Sequence, residues 1–280
     1  MPDGVLIDGI STDGSWLDER ALQFGDGLFE TIAIIDAKPC LWDLHMARLA
    51  EGCHRLRLPL PDLGLLAQEC RALCAGLSHA VLKLYWTAGT SARGYRRPTP
   101  LRPRRMLRVS DWPNAQTDQA WNLRYCTHRL GTNPTLAQIK HLNRLDQVIA
   151  RAEWDDPTID EGLMLGQDGH VVSGSMSNLF VQRDEQLLTP AIEGAGIAGV
   201  VRALALRLAT QSGICVVEAE ISREQIRKAD ALYLSNSLIG VARVARCEAT
   251  AYDLDRPEHP LMAETRRVCH QPTSWGGGGE

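Results

Sequence analysis

A chain of 280 residues is long for one compact domain and comfortable for two, each able to bury its own core. With 44 % hydrophobic and 23 % charged residues it has the make-up of a globular chain rather than a disordered one. No apolar run approaches the ~18 residues that a bilayer span needs. The formal net charge of -4 offers no basic footprint for nucleic acid. The eight cysteines lack a C-x-x-C pair or nearby histidine spacing, so buried reduced thiols are expected rather than a zinc site or a disulfide framework. Met1-Pro2-Asp3-Gly4 lacks the basic then apolar layout of a signal peptide, and a cytoplasmic location is expected.

In chain order, Val5 to Ile7 and Ile32 to Ile35 are short β-branched runs, and His79 to Trp86 and Met106 to Val109 are further strand candidates. Between them, Asp43 is the expected N-cap of a helix with Leu49, Cys53 and Leu56 at helical spacing. Pro61 is expected to open a second, carrying Leu66, Cys70, Leu73 and Leu77, with Gly76 helping to stop it. Ser110 to Asp118 turns polar around Pro113 and is the best linker. This predicts a smaller α/β domain over 1–110, a linker over 111–119 and a larger α/β domain over 120–280.

Beyond the linker, Asp168-Gly169 is expected to turn a hairpin, because this pair tolerates the positive φ of tight turns. Asn178 to Val181 and Gln186 to Leu188 form a second pair, and a helix from Val200 to Ala209 and a strand at Ile214 to Val217 follow. Ser222 with Gln225 makes a capping box. Leu232 to Leu234 and Val241 to Val244 supply late strands, and the tail from Trp275 is expected to fray.

Two features carry chemistry. Gly194-Ala195-Gly196-Ile197-Ala198-Gly199 matches G-x-G-x-x-G, opens a helix and precedes Glu218 at roughly the distance of a ribose-binding acid. Pro190 interrupts its approach, however, and too little chain follows for a dinucleotide fold, so a phosphate of some other ligand at the helix start is preferred. The second feature is Lys140, within Ile139-Lys140-His141-Leu142-Asn143. A solvated surface group is the bland reading of a lysine, but one ahead of a helical segment in an apolar neighbourhood suits a Schiff base with a carbonyl cofactor.

The order of its companions raises those odds. Phe24-Gly25-Asp26-Gly27-Leu28-Phe29-Glu30-Thr31, His45-Met46-Ala47-Arg48-Leu49, Arg93-Gly94-Tyr95, Ser177-Asn178-Leu179-Phe180, Gly199-Val200-Val201-Arg202 and Ser235-Asn236-Ser237 follow in the order of the fold-type IV pyridoxal-phosphate enzymes. Within that group the chain resembles the aminodeoxychorismate lyases. The resemblance implies an α/β (α+β) two-domain fold with pyridoxal 5'-phosphate between the domains, a homodimer, and elimination of pyruvate from 4-amino-4-deoxychorismate to give 4-aminobenzoate for folate.

It assigns Lys140 to the cofactor aldehyde and to proton transfer, and Arg48, Ser237 and the backbone of Val200 and Val201 to the phosphate. Asn178 joins the cofactor site, and Thr31 lies beside the substrate where the similar aminotransferases have glycine. No chemistry is assigned to Asn143, Arg144 or Asp146. Two positions depart from the family: Ala88 stands where an arginine is usual, and Ser173 stands where a glutamate meets the ring nitrogen of the cofactor. The rival readings are a branched-chain or D-amino-acid aminotransferase of the same fold, a cofactor-binding protein with little catalysis, and a nucleotide-binding domain.

Overall fold

The computed structural model describes residues 5–7, 10–12, 14–112 and 119–276. Two sheets organise it. The first part runs β1 (Val5–Ile7), β2 (Ile10–Thr12), α1 (Arg20–Phe24), β3 (Gly27–Ile35), β4 (Lys38–Pro39), α2 (Trp42–Leu56), α3 (Leu63–Cys74), β5 (His79–Thr87) and β6 (Arg104–Asp111). Strands β4-β3-β5-β6 form an antiparallel sheet. On β3, Leu28, Ile32 and Ile34 are buried with Leu49 and Cys53 of α2 and Leu66 and Cys70 of α3, as a period of two against a period of 3.6 requires.

The second part runs β7 (Trp121–Leu130), α4 (Leu145–Arg151), β8 (Glu161–Gly166), β9 (Val171–Gly174), β10 (Asn178–Arg183), β11 (Gln186–Pro190), α5 (Val200–Ser212), β12 (Val216–Ala219), α6 (Arg223–Arg227), β13 (Ala231–Asn236), β14 (Gly240–Cys247), β15 (Thr250–Ala251) and α7 (Pro260–Cys269). Its nine strands make one mixed sheet in the order β12-β11-β10-β13-β14-β7-β8-β9, with β15 on β14. Two cores flank it, one around Leu165, Leu179 and Leu234, the other around Phe180, Leu204 and Tyr233. The Asp168-Gly169 turn joins β8 to β9, with Gly169 at φ 86°, and the Ser222–Gln225 capping box forms as expected.

Several expectations are corrected. Asp43 does not cap α2. The helix starts two residues earlier than that cap would place it, its N-cap Leu41 is left-handed, and the Trp42 N–H donates to Thr273 Oγ1, 231 residues away in sequence. The second helix is capped by Asp62, whose carboxylate accepts from the Leu65 N–H, so Pro61 lies outside it; Leu73 is exposed and Leu77 falls beyond its end. Ser110 and Asp111 continue β6 rather than opening a linker, and 113–118 lie outside the described residues. The ten-residue strand β7 has no counterpart in the sequence reading, because its buried residues, Leu123, Cys126 and Leu130, do not alternate and its pairing with β8 shifts register between Tyr125 and Arg129. Trp275 is not frayed: it is buried edge-on against Trp42, its Nε1–H donates to the Ala37 carbonyl, and it belongs to the core of the first sheet.

Candidate active site

Strand β3 divides the site by its alternation. Glu30 points to the α2 side and is 1 % exposed. There Arg48 Nε donates to Glu30 Oε1 at 2.9 Å, Arg48 Nη2 to Oε2 at 2.5 Å, and His45 Nδ1 meets Oε2 at 2.6 Å. Burial alone would raise Glu30, but Arg48 and His45 together hold it at about 2. His45, wholly buried, is pushed below the usual histidine range by that burial. The third Arg48 contact runs from Nη1 to the Ala198 carbonyl at 3.0 Å, so one arginine ties α2, β3 and the approach to α5 together.

On the other face of β3 stand Phe29 and Thr31. The segment carrying Lys140 lies along the part of the β3 edge that β4 leaves free: the Phe29 N–H donates to the Lys140 carbonyl at 3.0 Å and the Leu142 N–H to the Gly27 carbonyl at 3.0 Å. This register sets Lys140 Nζ 4.3 Å from the Phe29 ring centroid. Burial, with the Arg48 guanidinium next, pulls the half-buried amine down to about 7, and Arg144 and Lys83 act in the same direction. The sequence reading passed over Lys83. It is the cross-strand partner of Thr31 and in turn of Arg108, so the three share a sheet face. That register was beyond reach of the sequence, although the period-two pattern of β5 was not.

The glycine motif is a pairing segment here. Gln138, at φ 71°, pairs in parallel with Ile197; its N–H donates to the Gly196 carbonyl and its carbonyl accepts from Ala198. Asn178 Nδ2 donates to the Ile197 carbonyl at 2.9 Å, and a Cβ on Gly199 would stand 2.0 Å from Asn178 Oδ1. Asn178 thus fills the space beneath the loop. Helix α5 then starts at Val200 with Gly199 as N-cap and no side-chain cap. Glu218, the candidate ribose acid, is joined to the buried Arg202 of α5 at 2.5 Å. The Ser237 hydroxyl donates to the Thr31 carbonyl at 2.7 Å, linking the second sheet to β3.

Ser173 is buried on β9 as the partner of Met164, and its hydroxyl makes no hydrogen bond among the described residues. The buried acid on β8, Glu161, cannot substitute for the absent glutamate. Its carboxylate is taken up by the N–H groups of Gly162, Ser175 and Met176 and the hydroxyls of Ser175 and Ser177.

These groups suit a phosphorylated aldehyde. The uncapped start of α5 and Arg48, with three of its five N–H groups spent, offer donors to a phosphate, and a lowered amine suits a carbonyl. Together, fold and site define a two-sheet α/β scaffold of the fold-type IV kind, with a lysine on the free edge of β3. The chain belongs to the aminotransferase class IV family, which matches residues 27–247. It is 31 % identical over 257 residues to the aminodeoxychorismate lyase of Vibrio harveyi, covering 90 % of this chain and 93 % of that one. It also resembles the crystal structure of 4-amino-4-deoxychorismate lyase from Pseudomonas aeruginosa, at a TM-score of 0.82 and 40 % identity, over 90 % of this chain and 92 % of that one. The Escherichia coli branched-chain amino acid aminotransferase shares the fold at a TM-score of 0.77 and 22 % identity, over 90 % and 86 % of the two chains.

Proposed function

We propose that the chain is a pyridoxal-phosphate-dependent lyase that converts 4-amino-4-deoxychorismate to 4-aminobenzoate and pyruvate, a step toward folate. The observation that carries this reading is the Lys140 amine, held at about 7 against Phe29 on the strand of Thr31, in a chain 40 % identical to a lyase of that name.

In this reading Lys140 holds the cofactor aldehyde, and Arg48 with the N–H groups of Val200 and Val201 holds the phosphate. Ser237 stands beside the phosphate and braces Thr31 through its carbonyl, while Asn178 acts as a positioning residue under Gly199. The cofactor supplies an electron-withdrawing ring in conjugation with the carbon that bears the substrate nitrogen. With the cofactor bound to the substrate nitrogen, Lys140 would be the base that accepts the proton of that carbon at Nζ. The pair left behind becomes a ring double bond as the adjacent C–O bond breaks, enolpyruvate leaves with the oxygen electrons, and the ring gains aromaticity. Thr31 lines the substrate, and Lys83, its neighbour across the sheet, offers a cation to a substrate carboxylate.

Ser173 is the partner proposed for the ring nitrogen. A neutral hydroxyl favours the ring less as an electron sink than a carboxylate does, which weakens transamination more than an elimination whose charge departs with enolpyruvate.

Further parts of the proposal concern organisation. The division into a first domain that ends with β6 and a second that spans 120–280 is supported by a separate sheet in each part. A homodimer is supported by the apolar face of α4, where Leu145, Val148 and Ile149 are at least half exposed at helical spacing. The cytoplasm is supported by eight unpaired cysteines, seven of them buried. Among the described residues no helix is long and apolar enough to cross a membrane.

The reaction is tested by supplying 4-amino-4-deoxychorismate from a coupled synthesis and measuring both products. Equimolar pyruvate and 4-aminobenzoate are expected. Rapid amino transfer from ordinary amino acids with no pyruvate would make the chain an aminotransferase instead.

A further inference from the structure

The segment after Lys140 carries hydrogen-bonding demand that the reaction described so far does not use. Among the described residues nine buried side-chain nitrogen or oxygen atoms make no hydrogen bond, and two of these, on His170 and Glu258, still sit in ion pairs. Four of them, Arg129 Nη1, His141 Nδ1, Arg144 Nε and Gln147 Oε1, lie on β7 or on the Lys140–α4 segment, where α4 packs against β7. Buried polar atoms are nearly always met in folded proteins, so the concentration of unmet ones in the segment that follows the reactive lysine singles out this corner.

Arg144, at the N-cap of α4, pairs with no acid among the described residues. Asp146, two residues on, goes to His128 Nε2 at 2.8 Å instead. Arg144 Nη2 donates to His141 Nε2 at 2.5 Å. A guanidinium cannot accept, so His141 Nε2 must; the ring is therefore neutral with its proton on Nδ1. In agreement, burial and the neighbouring Arg144 push His141 down to about 4.

The His141 Nδ1–H is thus a second unmet donor, on a side chain only 9 % exposed. A largely buried arginine without a counter-charge is costly. A ligand with acceptor oxygens and negative charge meets that demand.

We propose that Arg144, oriented by His141, binds one carboxylate of the substrate beside Lys140 while Lys83 faces the other. The inference rests on the reading of the substrate as a cyclic amine with two carboxylates, and it names Arg144 as a specificity-determining residue.

The holoprotein is titrated with 4-aminobenzoate and with 4-aminobenzamide, the same ring without the charge, following the visible absorption of the cofactor. The parent should prefer the acid by about tenfold or more, the scale of one charge-assisted hydrogen bond. Arg144→Met should bring that preference near unity without lowering the melting temperature of the holoprotein, because it removes an unpaired charge; an arginine with a purely structural role would lower it. Arg144→Lys, which keeps the charge but loses the fork, should retain part of the preference and serves as the deciding variant if the methionine form does not fold. No preference in the parent, or the parent's full preference in the folded variants, overturns the proposal. An Arg144-dependent preference without pyruvate release would support this subsite while removing the proposed reaction.

Discussion

Arg48 and Glu30 face each other through a two-pronged ion pair in which both carboxylate oxygens are engaged and Glu30 is almost wholly buried. The arginine proposed for the phosphate is therefore also the counter-ion of a buried acid. Arg48→Ala should destabilise the protein by about 3–5 kcal/mol, the cost of leaving a buried charge alone, besides weakening cofactor retention. Urea unfolding of cofactor-free parent and variant separates the two effects. A variant as stable as the parent would show that the pair carries little energy.

The same pair gives an acid limb. Glu30 lies at about 2 against an ordinary 4.5, so its stabilisation is complete above 4.5 and is lost as pH falls from there toward 2. Stability curves between pH 5 and pH 2 should slope more steeply for the parent than for Glu30→Gln. Parallel slopes would contradict the assignment.

The Lys140 amine, lowered to about 7, is a nucleophile only when neutral. Cofactor uptake by protein stripped of it should accelerate through pH 7 and level off by about pH 8, and borohydride should fix the cofactor to Lys140. A midpoint near 10, or a labelled Lys83 or Lys228, would remove Lys140 from its role.

Thr31 and Lys83 sit across from each other on β3 and β5. Thr31→Gly should depress pyruvate release more than it depresses half-transamination. Lys83→Gln should raise KM about tenfold or more, with a smaller change in kcat. If Lys83→Gln leaves KM untouched, the cation serves the protein and not the substrate.

Ser173→Glu returns a carboxylate to β9. It should raise half-transamination of a test amino acid by a larger factor than it raises lyase turnover. Should the parent bind cofactor without eliminating pyruvate, and Ser173→Glu restore that reaction, the serine would mark a diverted function rather than a tuned lyase.

The sequence showed most clearly what local physics controls. The Ser222–Gln225 box, the Asp168-Gly169 turn and the β-branched run of β3 follow from neighbours a few residues apart, and each was legible. The start of α2 was not, because Thr273 meets its first N–H from the far end of the chain. Ordered motifs made Lys140, Arg48 and the Val200 helix start candidates for the site. By contrast, the Glu30 ion pair, Lys83 and the unpaired Arg144 depend on register and on what is missing nearby, which no single sequence displays.

The seating of Trp275 against Trp42 bears on how the molecule is made. The core of the first sheet has a wall drawn from residues translated more than two hundred positions later, so a nascent chain bearing all of α2 and β3 still shows water an open apolar flank. Chaperone binding to stalled nascent chains should persist until Trp275 clears the ribosome, and a stop codon just ahead of it should leave the early half, not the late half, the more open to protease.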